Sequence, residues 1–226
     1  STWSFVDGND ADGIGKDPTK RARLPQFAVF NSKLYVCWME TNGSGYYQIR
    51  VAEWQGDQNW NLVDGDGADG LNRDTGQHGR EPVLMSYNSK LYVAWYERDG
   101  GDWQIRVKEW NGTTWRFVDG NDLINGINKN NALDGFRPHL MSYNSKLYAT
   151  WTETDGSKYQ SRVAEWDGDQ TWNFVDGALT TGINKDTGQD ANYQRFVVFN
   201  SRLFVTWYEE NSSGVNQIRV AVAVTE

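Results

Sequence analysis

Residues 88–97 read NSKLYVAWYE, and near-copies stand at 31–40 (NSKLYVCWME), 144–153 (NSKLYATWTE) and 200–209 (NSRLFVTWYE). Trp95 follows Trp38 by 57 residues, and Trp151 and Trp207 each follow at a further 56. A period of this length is the mark of propellers, solenoids and arrays. Outward from the first copy, 26–30 reads as a short strand and Asn31-Ser32 as a tight hairpin turn. Residues 33–40 then form a strand with Leu34, Val36 and Trp38 on one face. After a glycine-containing turn at 41–46 a third strand is expected over 47–54 (YQIRVAEW), and after another turn a fourth over 60–64 (WNLVD).

Each repeat thus predicts a four-stranded antiparallel sheet. The expected fold is all-β, a four-bladed β-propeller forming one domain over 1–226, with repeats of about 1–58, 59–113, 114–170 and 171–226. The fourth repeat lacks the final Trp-x-Phe-Val-Asp-Gly strand, whereas an orphan copy, WSFVDG, occupies 3–8. This predicts that the N-terminal strand completes the last blade and closes the ring, since pairing the two removes two exposed edges. Placing Trp54 opposite Trp60, Trp110 opposite Trp115 and Trp166 opposite Trp172 sets Arg50, Arg106 and Arg162 against Asp64, Asp119 and Asp176. By the same rule Arg219 is expected against Asp7. Glu40, Gln48, Arg50 and Asp64, with their copies, then make a cross-strand polar ladder beside an aromatic face.

Composition agrees. The chain of 226 residues carries 12 Trp, 11 Tyr, 9 Phe and 23 Gly but 4 Pro, which suits short aromatic strands joined by glycine turns. A formal net charge of −8 without a basic tract argues against a nucleic-acid partner or an anionic membrane surface. No apolar run reaches the roughly 20 residues of a membrane helix, so no membrane insertion is expected. The lone cysteine, Cys37, excludes an internal disulfide.

Candidate chemistry is sparse. The Glu–Arg–Asp ladder resembles a carboxylate pair flanking an arginine, yet it recurs in every repeat, as structural ion pairs do and an asymmetric catalytic centre does not. His78 and His139 stand at different repeat positions without cysteine company and are expected in surface loops. The acidic runs DGNDADG (7–13) and DGDGADG (64–70) lack the ligand spacing of a calcium loop. No catalytic residue, metal ligand or cofactor is therefore assigned. Asn42, Asn111 and Asn211 open glycosylation sequons that read equally well as turn residues.

The connectors are more informative. From Gly13, Gly70, Gly126 and Gly182 each runs 18 residues to the next Asn-Ser turn, and each opens on a polar code: Gly15-Lys16-Asp17, Asn72-Arg73-Asp74, Asn128-Lys129-Asn130 and Asn184-Lys185-Asp186. Loops normally drift in length, so this constancy means that they are packed or used. In a propeller they share a rim with the turns ending in Tyr47, Trp103 and Tyr159, where the fourth repeat has Asn216. Flat rings beside amides, carboxylates and cations match a sugar, whose apolar face stacks while its hydroxyls take directional hydrogen bonds. The candidate glycan-binding set is Tyr47, Trp103 and Tyr159 with Lys16, Asp17, Asn72, Arg73, Asp74, Asn128, Lys129, Asn130, Asn184, Lys185 and Asp186.

With NSKLYVAW followed by QIRVAEW and Trp-x-x-Val-Asp-Gly, the chain resembles, over essentially its full length, the Trp-rich repeat propellers of secreted and surface proteins, β-propeller lectins among them. The resemblance implies a propeller of secreted or cell-surface type; with the rim geometry and the repetition, the expected function is multivalent, non-catalytic binding of glycans or glycoconjugates by a monomer. Two other readings stay open at this stage, a protein-binding or adhesive scaffold and a glycoside hydrolase.

Overall fold

Asn31 and Ser32 both hold left-handed backbone angles (φ 48° and 59°), as do Asn88-Ser89, Asn144-Ser145 and Asn200-Ser201. Two successive positive φ values make the type I′ turn, whose twist matches that of the strands it joins. In the computed structural model, which describes residues 2–8, 13–65, 70–120, 126–177 and 182–224, every such turn joins the first two strands of a sheet. The first sheet runs β1 (Ala22–Phe30), β2 (Lys33–Thr41), β3 (Tyr47–Gly56) and β4 (Asn59–Leu62). The second is β5 (Gly79–Tyr87), β6 (Lys90–Asp99), β7 (Asp102–Trp110) and β8 (Trp115–Phe117). The third is β9 (Gly135–Tyr143), β10 (Lys146–Thr154), β11 (Tyr159–Trp166) and β12 (Trp172–Phe174), and the last is β13 (Ala191–Phe199), β14 (Arg202–Glu210) and β15 (Asn216–Val222). All neighbours are antiparallel.

The expected register holds. Trp38 pairs with Arg50 and Glu40 with Gln48, and Trp54, Trp110 and Trp166 face Trp60, Trp115 and Trp172. The arginines reach Asp64, Asp119 and Asp176 at 3.3, 3.6 and 3.5 Å. Burial pushes Asp64 up to about 6 and Asp119 up to about 7, against the pull of the guanidinium beside each.

The sheets pack face to face. Tyr35, Cys37, Met39, Ile49 and Val51 of the first meet Leu91, Val93 and Trp95 of the second. Tyr92, Ala94, Tyr96, Ile105 and Val107 of the second meet Leu147, Ala149 and Trp151 of the third, and Val163 meets Phe196, Leu203, Val205 and Trp207 of the last. The period-2 alternation of each strand thus serves two seams at once.

The structure departs from expectation at the last sheet, which has three strands. Residues 2–8 form no ladder among the described residues, and Arg219 pairs with Glu209 at 3.4 Å instead of Asp7. Val6 accepts a hydrogen bond from Trp60 Nε1 at 2.7 Å, as Val63 does from Trp115 and Val118 from Trp172. The N-terminal segment therefore lies against the first blade, where the end of a preceding blade's outer strand would lie. Trp3 and Phe5 are left 97% and 84% exposed.

Candidate functional site

The inner strands are where backbone symmetry and side-chain identity part. Leu24, Glu81, Arg137 and Tyr193 occupy one repeat position, and all four hold left-handed angles, φ 57°, 50°, 55° and 61°. Each sits at a break in the β1, β5, β9 or β13 ladder, a bulge that re-aims the strand start. A left-handed non-glycine residue costs about 1–2 kcal/mol and persists where surrounding structure enforces it, typically at sites that bind or react. The residues just before the bulge vary as well: Arg23, Arg80, Phe136 and Asn192.

Three blades place these positions around one pocket of about 420 Å3. The second blade contributes Arg80, Tyr96 and Trp103, the third Phe136, Arg137 and Tyr159, and the last Asn192 and Tyr208. Tyr96 meets Trp103 edge-on at 5.2 Å and Phe136 at 5.6 Å, and Phe136 meets Tyr159 at 6.1 Å. The Arg80 guanidinium lies over the Trp103 ring at 5.1 Å and that of Arg137 over Tyr193 at 4.3 Å. Arg137 also donates to Asn192 Oδ1 at 3.3 Å, and Tyr193 packs on Tyr208 at 5.6 Å. Tyr96 donates its hydroxyl to Glu81 Oε1 at 3.1 Å. Burial, and then the Glu81 charge, push that phenol up to about 12, so it stays a neutral donor. A second cleft of about 350 Å3, lined by Tyr148, Val163, Phe196 and Val205, lies in the seam between the last two blades and has an apolar wall.

Of the sequence-derived set, Trp103 and Tyr159 come together in the central pocket. Tyr47 does not: its ring packs 5.7 Å from His78, whose Nδ1 accepts the Tyr47 backbone N–H at 3.0 Å. The connector residues serve as clamps between blades. Asn72 accepts from Ile49 N and donates to Tyr47 O and Gln77 O. Asn128 does the same at Ile105, Trp103 and Leu133, and Asn184 at Ser161, Tyr159 and Gln189. The backbone N–H groups of Arg73 and Asp74 donate to Glu97, which also accepts Trp95 Nε1. Glu40 repeats this with Lys16, Asp17 and Trp38, Glu153 with Lys129, Asn130 and Trp151, and Glu209 with Lys185, Asp186 and Trp207. The side chains of Asp17, Asp74, Asn130 and Asp186 cap the turn that follows. The last three connectors thus tie the third strand of one blade to the second strand of the next through Asn72, Asn128 and Asn184, whereas the first, with Gly15 at that place, holds only Glu40 of its own blade.

His139 corrects the loop expectation. It lies in β9, where Nδ1 accepts Phe196 N at 3.2 Å and burial, with Arg195 nearby, pushes its imidazole down to about 4. The sequon residues Asn42, Asn111 and Asn211 each accept backbone N–H groups of their own turns. No cluster of metal-ligating side chains occurs among the described residues, and Asp10, Asp12, Asp66 and Asp69 lie outside them.

Constancy between repeats marks the connectors, whereas the shared pocket is built where the repeats disagree, at 80, 136–137 and 192.

No protein-family profile and no curated protein matches the chain. Solved structures do. A thermostable family-43 glycoside hydrolase superimposes with a TM-score of 0.55 at 13% identity, over 91% of this chain and 72% of that one. The arabinanase of Bacillus subtilis gives 0.51 at 14%, over 88% and 71%. The endo-arabinase of Bacteroides thetaiotaomicron gives 0.54 at 10%, over 100% and 79%. At such identities the likeness speaks for fold alone, and the chain has a β-propeller fold resembling the five-bladed propellers of family-43 glycoside hydrolases.

Proposed function

We propose that this chain is a non-catalytic carbohydrate-binding propeller whose ligand sits in the central pocket. The observation that carries the reading is the convergence of Trp103 and Tyr159, from adjacent blades, on one cavity of about 420 Å3 with Tyr96, Phe136 and Tyr208. Aromatic faces offer a sugar its stacking surface, and the tyrosine hydroxyls and Asn192 offer directional polar contacts. The resemblance to glycoside hydrolase propellers is consistent with a carbohydrate ligand. Hydrolysis is disfavoured, because glycosidases generally need two carboxyl groups flanking the scissile bond. The pocket lining holds arginines and no carboxylate, and Glu81 beside it is engaged by Tyr96. One shared pocket is favoured over repeated rim sites, since the Asn72, Asn128 and Asn184 amides and the connector backbone are engaged in clamping.

A glycan array followed by calorimetric titration tests this. One site per chain is expected, with Trp103→Ala weakening binding roughly tenfold or more and Asn216→Ala, outside the pocket, leaving it unchanged. Several related sites per chain, the fourth blade's being the weakest, would restore the rim reading. Release of shortened oligosaccharide would make the protein an enzyme, and an array without hits would favour the scaffold.

A further inference from the structure

We infer that the ligand is an acidic saccharide, one whose ring carries a carboxylate or sulfate group, and that Arg80 and Arg137 read the charge. The inference rests on the carbohydrate reading above and adds the class of sugar.

Three observations carry it. First, the two guanidinium groups line the same pocket, and neither has a carboxylate partner among the described residues. The buried Arg50, Arg106 and Arg162 each have one, whereas Arg21, Arg23, Arg98, Arg195 and Arg202 share the lack of one among the described residues; what sets Arg80 and Arg137 apart is that both line one pocket. Second, both pack on aromatic rings. Arg80 lies over Trp103 at 5.1 Å and Arg137 over Tyr193 at 4.3 Å, contacts that restrain both side chains at the pocket wall. One N–H of Arg137 is used on Asn192 and Nε of both arginines is buried, so the remaining terminal N–H groups are the ones a ligand would meet. Third, the chain as a whole is acidic, at −8, whereas the pocket lining carries two cations and no carboxylate, a local inversion of charge; Glu81, Asp134 and Asp190 beside it are hydrogen-bonded by the Tyr96 hydroxyl and by the backbone N–H groups of Trp103 and Tyr159. Such an inversion draws an anion. A neutral sugar would leave the guanidinium edges unmatched in a half-enclosed site, while a planar carboxylate or a sulfate accepts two parallel N–H donors.

The test compares acidic oligosaccharides with their neutral partners by calorimetry: tetragalacturonate against its methyl ester, and a sulfated galactan oligosaccharide against its desulfated form. The acidic member of at least one pair should bind roughly tenfold more tightly. That preference should shrink as salt rises from about 50 to about 500 mM. Which pair shows it distinguishes carboxylate from sulfate. Arg137→Gln and, separately, Arg80→Gln should erase the preference by lowering affinity for the acidic partner, and Arg137→Lys should retain part of it. Thermal melting of each variant checks that it is folded. Equal binding of acidic and neutral partners, unaffected by either arginine variant, overturns the acidic assignment and leaves the carbohydrate reading standing. No binding by any of the four probes, or by the wider array, overturns both.

Discussion

The three internal seams and the outward face of the first blade share one backbone and differ in the residues laid on it. At the seams, Gly70, Gly126 and Gly182 pack so closely that a Cβ would stand 2.4, 2.4 and 2.3 Å from the carbonyl oxygens of Ile49, Ile105 and Ser161. Gly13 holds the same kind of angle, φ +65°, with nothing within 4 Å of where its Cβ would be. Two residues on, the clamping Asn72, Asn128 and Asn184 are replaced by Gly15. His78, Asp134 and Asp190, which accept the backbone N–H of Tyr47, Trp103 and Tyr159, are replaced by Arg21, which has no acceptor to give. In the last blade Ile218, the counterpart of the fully buried Ile49 and Ile105, is 77% exposed. The connector's shape is therefore set locally, by glycine and turn chemistry, while the clamp between blades is a separate layer present where one blade meets another.

The largest expected effect comes from alanine at the paired glycines. Gly126→Ala forces a methyl group into the Ile105 carbonyl and should cost roughly 3 kcal/mol or more, strain and left-handed angle together. Gly13→Ala meets open space and should cost about 1 kcal/mol, the angle alone. Urea denaturation of both variants measures the difference. Equal costs would mean that the last blade closes onto the first in solution, with Ile218 in the place of Ile49.

Asn128→Ala removes three hydrogen bonds and leaves the Ile105 N–H buried, an expected loss of about 2–3 kcal/mol. The reciprocal change, Gly15→Asn, adds a clamp where no blade is met and should move stability by less than about 0.5 kcal/mol. A clear gain from Gly15→Asn would again point to closure.

Strand order, hairpin turns, ladder register and the Arg–Asp pairs were legible because four copies could be aligned and each pairing checked three times. The pocket was not, because alignment treats the variable positions 24, 81, 137 and 193 as noise. Their backbone was hidden too: Leu24, Glu81 and Arg137 precede prolines, and a residue before proline is biased towards extended conformations, not the left-handed one found here. His139 was misplaced for a related reason, since its strand begins with that bulge. The task of the connector code was legible in principle. Each Glu follows the amides it holds by 23 and 24 residues in all four repeats, a constancy a ligand site does not require.

The seam between the last two blades differs from the other two internally. Gln194 stands where they have Pro82 and Pro138, and it accepts from Thr152 Oγ1 at 2.9 Å and donates to Ser161 Oγ at 2.6 Å, all three fully buried. Thr152 and Ser161 replace Met39 and Ile49 of the first blade, so the polar trio has been exchanged as a set. Gln194→Ala should cost about 1–2 kcal/mol by leaving two hydroxyls without partners. The triple variant Gln194→Pro, Thr152→Met, Ser161→Ile should recover much of that loss. Failure to recover would mean that the trio is held by packing specific to this seam.

The smallest effect separates two clamps that occupy the same place in neighbouring seams, His78 and Asp134. Burial, then Arg80 and Arg98, hold the His78 imidazole below its usual range, and its unprotonated Nδ1 accepts the Tyr47 N–H. A histidine with a folded value below its unfolded one binds fewer protons folded than unfolded. Its contribution is therefore present above the ordinary value of about 6.5 and is lost as pH falls through and below it. His139, lowered to about 4, acts in the same direction, while Asp64 and Asp119, raised to about 6 and about 7, act in the opposite one: their contribution is complete below about 4 and lost as pH rises. The raw pH profile mixes these signs, so the informative quantity is the difference between the native protein and His78→Asn, whose side-chain oxygen can still accept the Tyr47 N–H. Between pH 7 and pH 5 the native protein should lose stability relative to the variant. Parallel profiles would mean that the His78 clamp does not differ from the Asp134 clamp in its response to protons.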